Sequence, residues 1–184
     1  MNRLNLLLPI SLFSLVLFSC TEISTNDFQF SMKEGGMLQT DTEVFQAEVF
    51  QKPWHGVRFD IPYTITNTTD EAVYMIGCKQ PMAPVLQKRT NGEWVSAYNS
   101  VEQGCLSPPF IVKAGGQWQD TLRVYGIFPG QNAFPEFHTD VEGEYRLKKK
   151  IYSNPDTFKD SENWNEQLLP DELRISNSFY VKEK

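Results

Sequence analysis

The sequence contains no His-Glu-x-x-His, no Cys-x-x-Cys pair, no Gly-x-Ser-x-Gly and no glycine-rich phosphate loop. With these go the commonest local signatures of zinc proteases, thiol-disulfide exchangers, serine hydrolases and nucleotide binders. Only two histidines are present, His55 and His138, so a histidine-rich zinc site is not expected. Acidic residues are plentiful, but Asp156, Asp160 and Glu162 lack the spacing and central glycine of a calcium loop. No metal and no cofactor are expected, and no carboxylate pair stands out as an acid/base site. Basic residues are in deficit, with 17 Lys and Arg against 23 Asp and Glu and a formal charge of −6. That balance argues against binding a phosphate backbone, so nucleic acid is not an expected partner. Helical periodicity is almost missing as well. Only "DSENWNEQLLPDEL" suits a short helix, expected to end at Pro170.

What is present begins with Arg3 and an apolar stretch from Leu4 to Phe18, the layout of a secretory signal peptide. The run is short of the roughly 20 apolar residues of a membrane-spanning helix, and no basic stop-transfer cluster follows it. It ends in Leu17-Phe18-Ser19-Cys20, which resembles the lipobox of bacterial lipoproteins, although Phe18 replaces the usual small or aliphatic residue. The resemblance implies that Cys20 is lipidated and becomes the new N-terminus. Its acyl chains then anchor the protein to a membrane, each buried methylene adding about 0.8 kcal/mol. The expected organisation is a lipoprotein signal peptide over residues 1–19, a polar tether over 20–27 and one domain over 28–184. Removing residues 1–19 leaves 165 residues, enough for one core, and loss of Arg3 moves the formal charge to −7. A hydrophobic fraction of 40% with 13% aromatics is too apolar for a disordered chain.

The body reads as strands. In "VRFDIPYTIT", Val57, Phe59, Ile61, Tyr63 and Ile65 alternate with polar residues and Pro62, the period of a strand with one face in a core. Pro62 cannot donate to a ladder, which places it at an edge or a bulge. "NTTDE" after it reads as a turn, because Asn side chains bond backbone two residues on. Further strands are expected at "TEVFQAEVFQ", "AVYMIGC", "APVLQKR", "EWVSAY", "PFIVK", "QWQDTLRVYG", "GEYRLKKKIY" and "RISNSFYVK". Asn91-Gly92 suits a type I′ hairpin turn and Ala114-Gly115-Gly116 a second turn. Seven to nine short strands of this kind indicate an antiparallel β-sandwich.

"DVEGEYRL", with Asp140, Gly143 and Tyr145, resembles the tyrosine corner of immunoglobulin-like domains, in which the Tyr hydroxyl ties a strand start to upstream backbone. Leu147 stands where antibody domains carry a cysteine, so their inter-sheet disulfide is not expected here. Together with Asn67-Thr68, the Asn91-Gly92 hairpin containing Trp94, and Gly115-Gly116, the layout resembles bacterial immunoglobulin-like domains of small envelope lipoproteins. It is also similar to the intracellular proteinase inhibitor family of bacilli. The likeness covers roughly residues 58–151 and is one of fold, which does not carry function with it.

In an exported, oxidising compartment, Cys78 and Cys105 are expected to form one disulfide. The competing account, a thiolate assisted by His55 or His138, finds no support in "GCKQ" or "GCLS". Two loops carry aromatic residues. "GIFPGQNAFPEFH" holds Phe128, Phe134 and Phe137, either capping the core or forming a binding surface; "SNPDTFKDSENWNEQLLPDEL" holds Phe158 and Trp164 and is long for a connection. Phe134, Phe137 and Trp164 are the candidate binding residues. Arg146 is expected to point outward into solvent if Tyr145 and Leu147 point inward. The functional expectation is a lipid-anchored protein of a bacterial envelope, the outer membrane in a Gram-negative cell. It acts by binding or scaffolding on an envelope protein or glycan partner rather than by catalysis. A protease-inhibitor-like module and a carboxylate-based hydrolase are the alternatives. An inhibitor requires a protruding rigid loop, and a hydrolase a concave pocket with perturbed carboxylates.

Overall fold

The computed structural model describes residues 36–101, 107–154 and 167–184. Cys20, Cys105, Asp156, Phe158, Asp160, Glu162 and Trp164 lie outside the described residues, as does the chain up to residue 35. The protein is all-β. Its strands are β1 (Leu38–Gln39), β2 (Val44–Phe50), β3 (Gly56–Thr66), β4 (Val73–Met75), β5 (Val85–Thr90), β6 (Glu93–Tyr98), β7 (Phe110–Val112), β8 (Gln117–Ile127), β9 (Gly143–Lys148) and β10 (Phe179–Glu183), with one turn of helix, α1 (Asp171–Arg174).

The alternation in β3 works as its sequence dictates. Val57, Phe59, Ile61, Tyr63 and Ile65 are all buried, and β8 pairs antiparallel with β3 along its whole length. No bulge interrupts that register at Pro62, which pairs with Thr121. On its other flank β3 meets β2 only from Gly56 to Arg58 and β1 only at Thr64 and Ile65. Pro62 therefore falls where β3 has a neighbour on one side, and its missing N–H leaves no ladder bond unmade.

β2 changes partner midway: Val44–Ala47 run parallel to β10, and Glu48–Phe50 run antiparallel to β3. Beyond β10 the order continues through β9 and β5 to β6, all antiparallel. β4 and β7 form a separate pair. One hydrophobic cluster joins Ile61 and Ile65 of β3, Leu122 and Val124 of β8, Leu86 of β5, Leu147 of β9, and Phe179 and Val181 of β10.

Turn chemistry explains the connections. Asn91 and Gly92 take φ of 52° and 88° between Thr90 and Glu93, the two left-handed positions of a type I′ hairpin. Buried Asn67 accepts from the Thr69 N–H at 3.0 Å and donates to the Glu71 and Val112 carbonyls at 2.7 and 2.9 Å. The backbone of Asn67 pairs with Gly115 and Gly116.

Three expectations fail at their edges. "AVYMIGC" is a strand only from Val73 to Met75. "GEYRLKKKIY" leaves the ladder after Lys148, because Lys149 turns to the Arg174 carbonyl and Tyr152 to Tyr74 and Leu168. In "RISNSFYVK" the strand starts only at Phe179, since Ser176 and Asn177 use their side chains on the Leu147 N–H and on Thr40, competing with a ladder. Pro170 precedes α1 at its N-cap rather than ending a helix, a position where the absent N–H costs nothing.

Candidate functional site

Three places gather the residues of interest. The first is the corner. Tyr145 at the start of β9 is fully buried, and its hydroxyl lies 2.7 Å from the Val141 carbonyl and 3.0 Å from the Asp140 carbonyl, one proton shared by two acceptors. Burial pushes its phenol upward. Lys88 of β5 completes the cluster: its ammonium is 2.8 Å from the Asp140 carbonyl, 2.7 Å from the Asp140 carboxylate and 5.7 Å from the centre of the Tyr145 ring. Gly143 has φ of 151°, and a Cβ there meets Lys88 Cε at 2.5 Å. Asp140, Gly143 and Tyr145 thus converge on a lysine that sequence reasoning missed. Its only signal was an inward position two residues from Leu86. These bonds tie the start of β9 to the chain before it and to β5.

The second place is the tip formed by the β2–β3 and β8–β9 connections. Gln131 clasps the two: its amide oxygen accepts from the His55 N–H at 2.7 Å, and its amide nitrogen donates to the His55 and Phe128 carbonyls at 2.7 and 3.0 Å. The His55 ring meets Phe128 edge-on at 4.6 Å. Phe134 is 78% exposed and Trp54, which sequence reasoning passed over, 45%. Phe137 is not part of this surface. It is wholly buried, with ring contacts to Phe59 and Phe128, and its backbone bridges the Ile127 carbonyl to the end of β6. Gly126 permits the approach, since a Cβ there falls 2.7 Å from Phe137 Cβ. The core-capping account therefore holds for Phe137, and Phe134 alone among the described candidates faces solvent.

The third place is a cleft of about 750 Å³ against β1, β6, β9 and α1. Trp94, Arg146, Ile175 and Ser178 line it together with exposed Asp41, Glu43 and Glu172. Arg146 is not simply solvated. Its guanidinium lies 4.3 Å over the Trp94 ring, its Nε donates to Gln87 Oε1 at 2.9 Å, and desolvation lowers its pKa. Asp171 at the cleft wall is held below the usual carboxylate range by a hydrogen bond from Lys148, assisted by Arg174 and Arg146. An acid so held is ionised at neutral pH and cannot donate a proton as a general acid. Among the described residues no three His, Cys, Asp or Glu side chains group as metal ligands. His55 packs against Phe128 in the tip and His138 lies 3.5 Å from Glu136. Cys78 is half-buried after β4.

No family model matches this chain, and no curated protein matches its sequence.

Proposed function

We propose that this is a lipid-anchored envelope protein whose immunoglobulin-like sandwich presents the Trp54 and Phe134 tip to a protein or glycan partner. The observation that carries the reading is the exposure of Trp54 and Phe134 on a tip pinned by Gln131, next to Gly56 and Ile127 at one end of the β3–β8 pair. A strand switching from β3 to a parallel β10, together with a buried tyrosine bonded to backbone five residues upstream, supports the immunoglobulin-like reading. The bridge between Cys78 and Cys105 belongs to the same proposal. It is supported by the pairing of the two cysteines that remain beside Cys20 in a chain proposed to be exported.

Exposed aromatics on rigidly held loops are the usual energetic anchors of recognition. Capture of envelope components by the purified full chain tests this. Trp54→Ala with Phe134→Ala is expected to weaken capture at least tenfold with the circular dichroism spectrum unchanged; undiminished capture overturns the tip as the site. A second reading, the protease-inhibitor-like module, draws on the same loop, because Phe134 protrudes from a segment pinned by Gln131 and by the Ile127–Pro135 and Phe137–Ile127 backbone bonds. Loss of inhibition of an envelope protease on Phe134→Ala, without cleavage of the loop, distinguishes it.

A further inference from the structure

The cleft beneath Trp94 is separate from the tip and carries its own chemistry. Four segments distant in sequence build it: the β1 region, β6, β9, and the stretch from α1 to Ser178. Among the described residues, Arg58 pairs with Glu48, Arg89 with Glu144 and Arg174 with Asp171, but Arg146 forms no ion pair. Its plane is nevertheless fixed, with the Trp94 ring on one face and Gln87 on Nε. The two terminal nitrogens are left as a preset fork, the geometry that binds a carboxylate through two parallel bonds. Asp171 acts on it only through space, its oxygens being bonded to Lys148 and Arg174. The inner wall therefore offers a half-buried cation, whereas three of the four lining acids, Asp41, Glu43 and Glu172, are exposed and the fourth, Asp171, is bonded to Lys148 and Arg174. A multiply charged anion is repelled by those three acids. A molecule with one carboxylate and an amine some distance from it matches both signs. The volume suits a ligand of a few residues.

We propose that this cleft binds a short peptide by its free C-terminal carboxylate, with Arg146 as the anchor and Asp41, Glu43 and Glu172 facing its amino end. Trp94 and Ile175 supply the apolar walls against which the peptide body packs. Trp94 also holds the guanidinium in place, so it is a positioning residue as well as a wall.

Titration calorimetry on the purified full chain tests this with tri-alanine, tri-alanine amide, N-acetyl-tri-alanine and inorganic phosphate as probes. Tri-alanine is expected to bind, the amide at least tenfold more weakly, the acetylated peptide several-fold more weakly, and phosphate more weakly than tri-alanine. Arg146→Gln is expected to abolish the difference between acid and amide, and Arg146→Lys to retain part of it, because a point charge lacks the fork. Glu172→Gln is expected to narrow the gap between free and acetylated peptide while leaving that between acid and amide intact. Absence of tri-alanine binding, equal binding of acid and amide, preference for phosphate, or an unaltered Arg146→Gln variant with native circular dichroism each overturns the proposal. None of these outcomes bears on the tip, whose residues are varied separately.

Discussion

The Tyr145 hydroxyl serves two carbonyls; its removal takes a buried donor from Val141, while the Asp140 carbonyl keeps the Lys88 ammonium. Tyr145→Phe keeps the ring stacked on Phe179 at 6.3 Å and deletes only the bond. A loss of about 0.5 to 1.5 kcal/mol is expected, the net value of one such bond, read from the denaturant midpoint at constant m. An unchanged midpoint counts against the corner as a source of stability. Tyr63 and Tyr145 together set a pH response. Burial raises both phenols above their ordinary value near 10, and the Asp120 carboxylate adds to the effect on Tyr63. The unfolded chain then loses these protons near pH 10 while the folded chain still holds them. Their contribution is intact below that pH and falls as pH rises above it. The denaturant midpoint is expected to decline above about pH 10, and Tyr63→Phe with Tyr145→Phe to decline less steeply. Parallel declines refute the assignment.

At the level of elements, local chemistry was legible wherever one residue type meets one backbone demand. Asn91-Gly92 announces a hairpin because few other pairs accept two left-handed residues in succession. Gly92, at φ of 88° with open space around its Cα, tests this cleanly, since Gly92→Ala meets no atom within 4 Å and changes only the backbone energy. A cost of about 1 to 2 kcal/mol in thermal or denaturant unfolding is expected. A neutral substitution shows that the turn relaxes to another type. Asn67 was legible for the same reason, as was the buried face of β3. The ends of β9 and β10 were not, because Lys149 and Ser176 choose partners remote in sequence and alternation alone runs on past them. Pro170 misled because the same fixed φ suits the start of a helix as well as its end. Lys88 and Arg146 both sit at ordinary alternating positions. What makes them informative is Asp140 and Tyr145 beside the one and Trp94 beside the other, and no local pattern encodes such neighbours.

Along β3 the described residues have two distinct ends. Eleven residues at about 3.3 Å each separate the β1 entry from the tip by roughly 35 Å. We assign the acyl anchor to Cys20 and recognition to Trp54 and Phe134, so the two roles separate by mutation. Cys20→Ser is expected to release the protein from membranes, or leave it unprocessed, while the soluble form still captures the partner with wild-type affinity. Trp54→Ala with Phe134→Ala is expected to do the reverse, leaving the protein with the membrane fraction and weakening capture at least tenfold, about 1.4 kcal/mol or more. Membrane fractionation, incorporation of labelled fatty acid and capture, measured on the same three proteins, give the comparison. Loss of membrane partition in the tip variant places the aromatics in lipid instead of on a partner. Loss of capture in a folded Cys20→Ser protein shows that the partner is recognised only at the membrane surface and refutes the separation of the two roles.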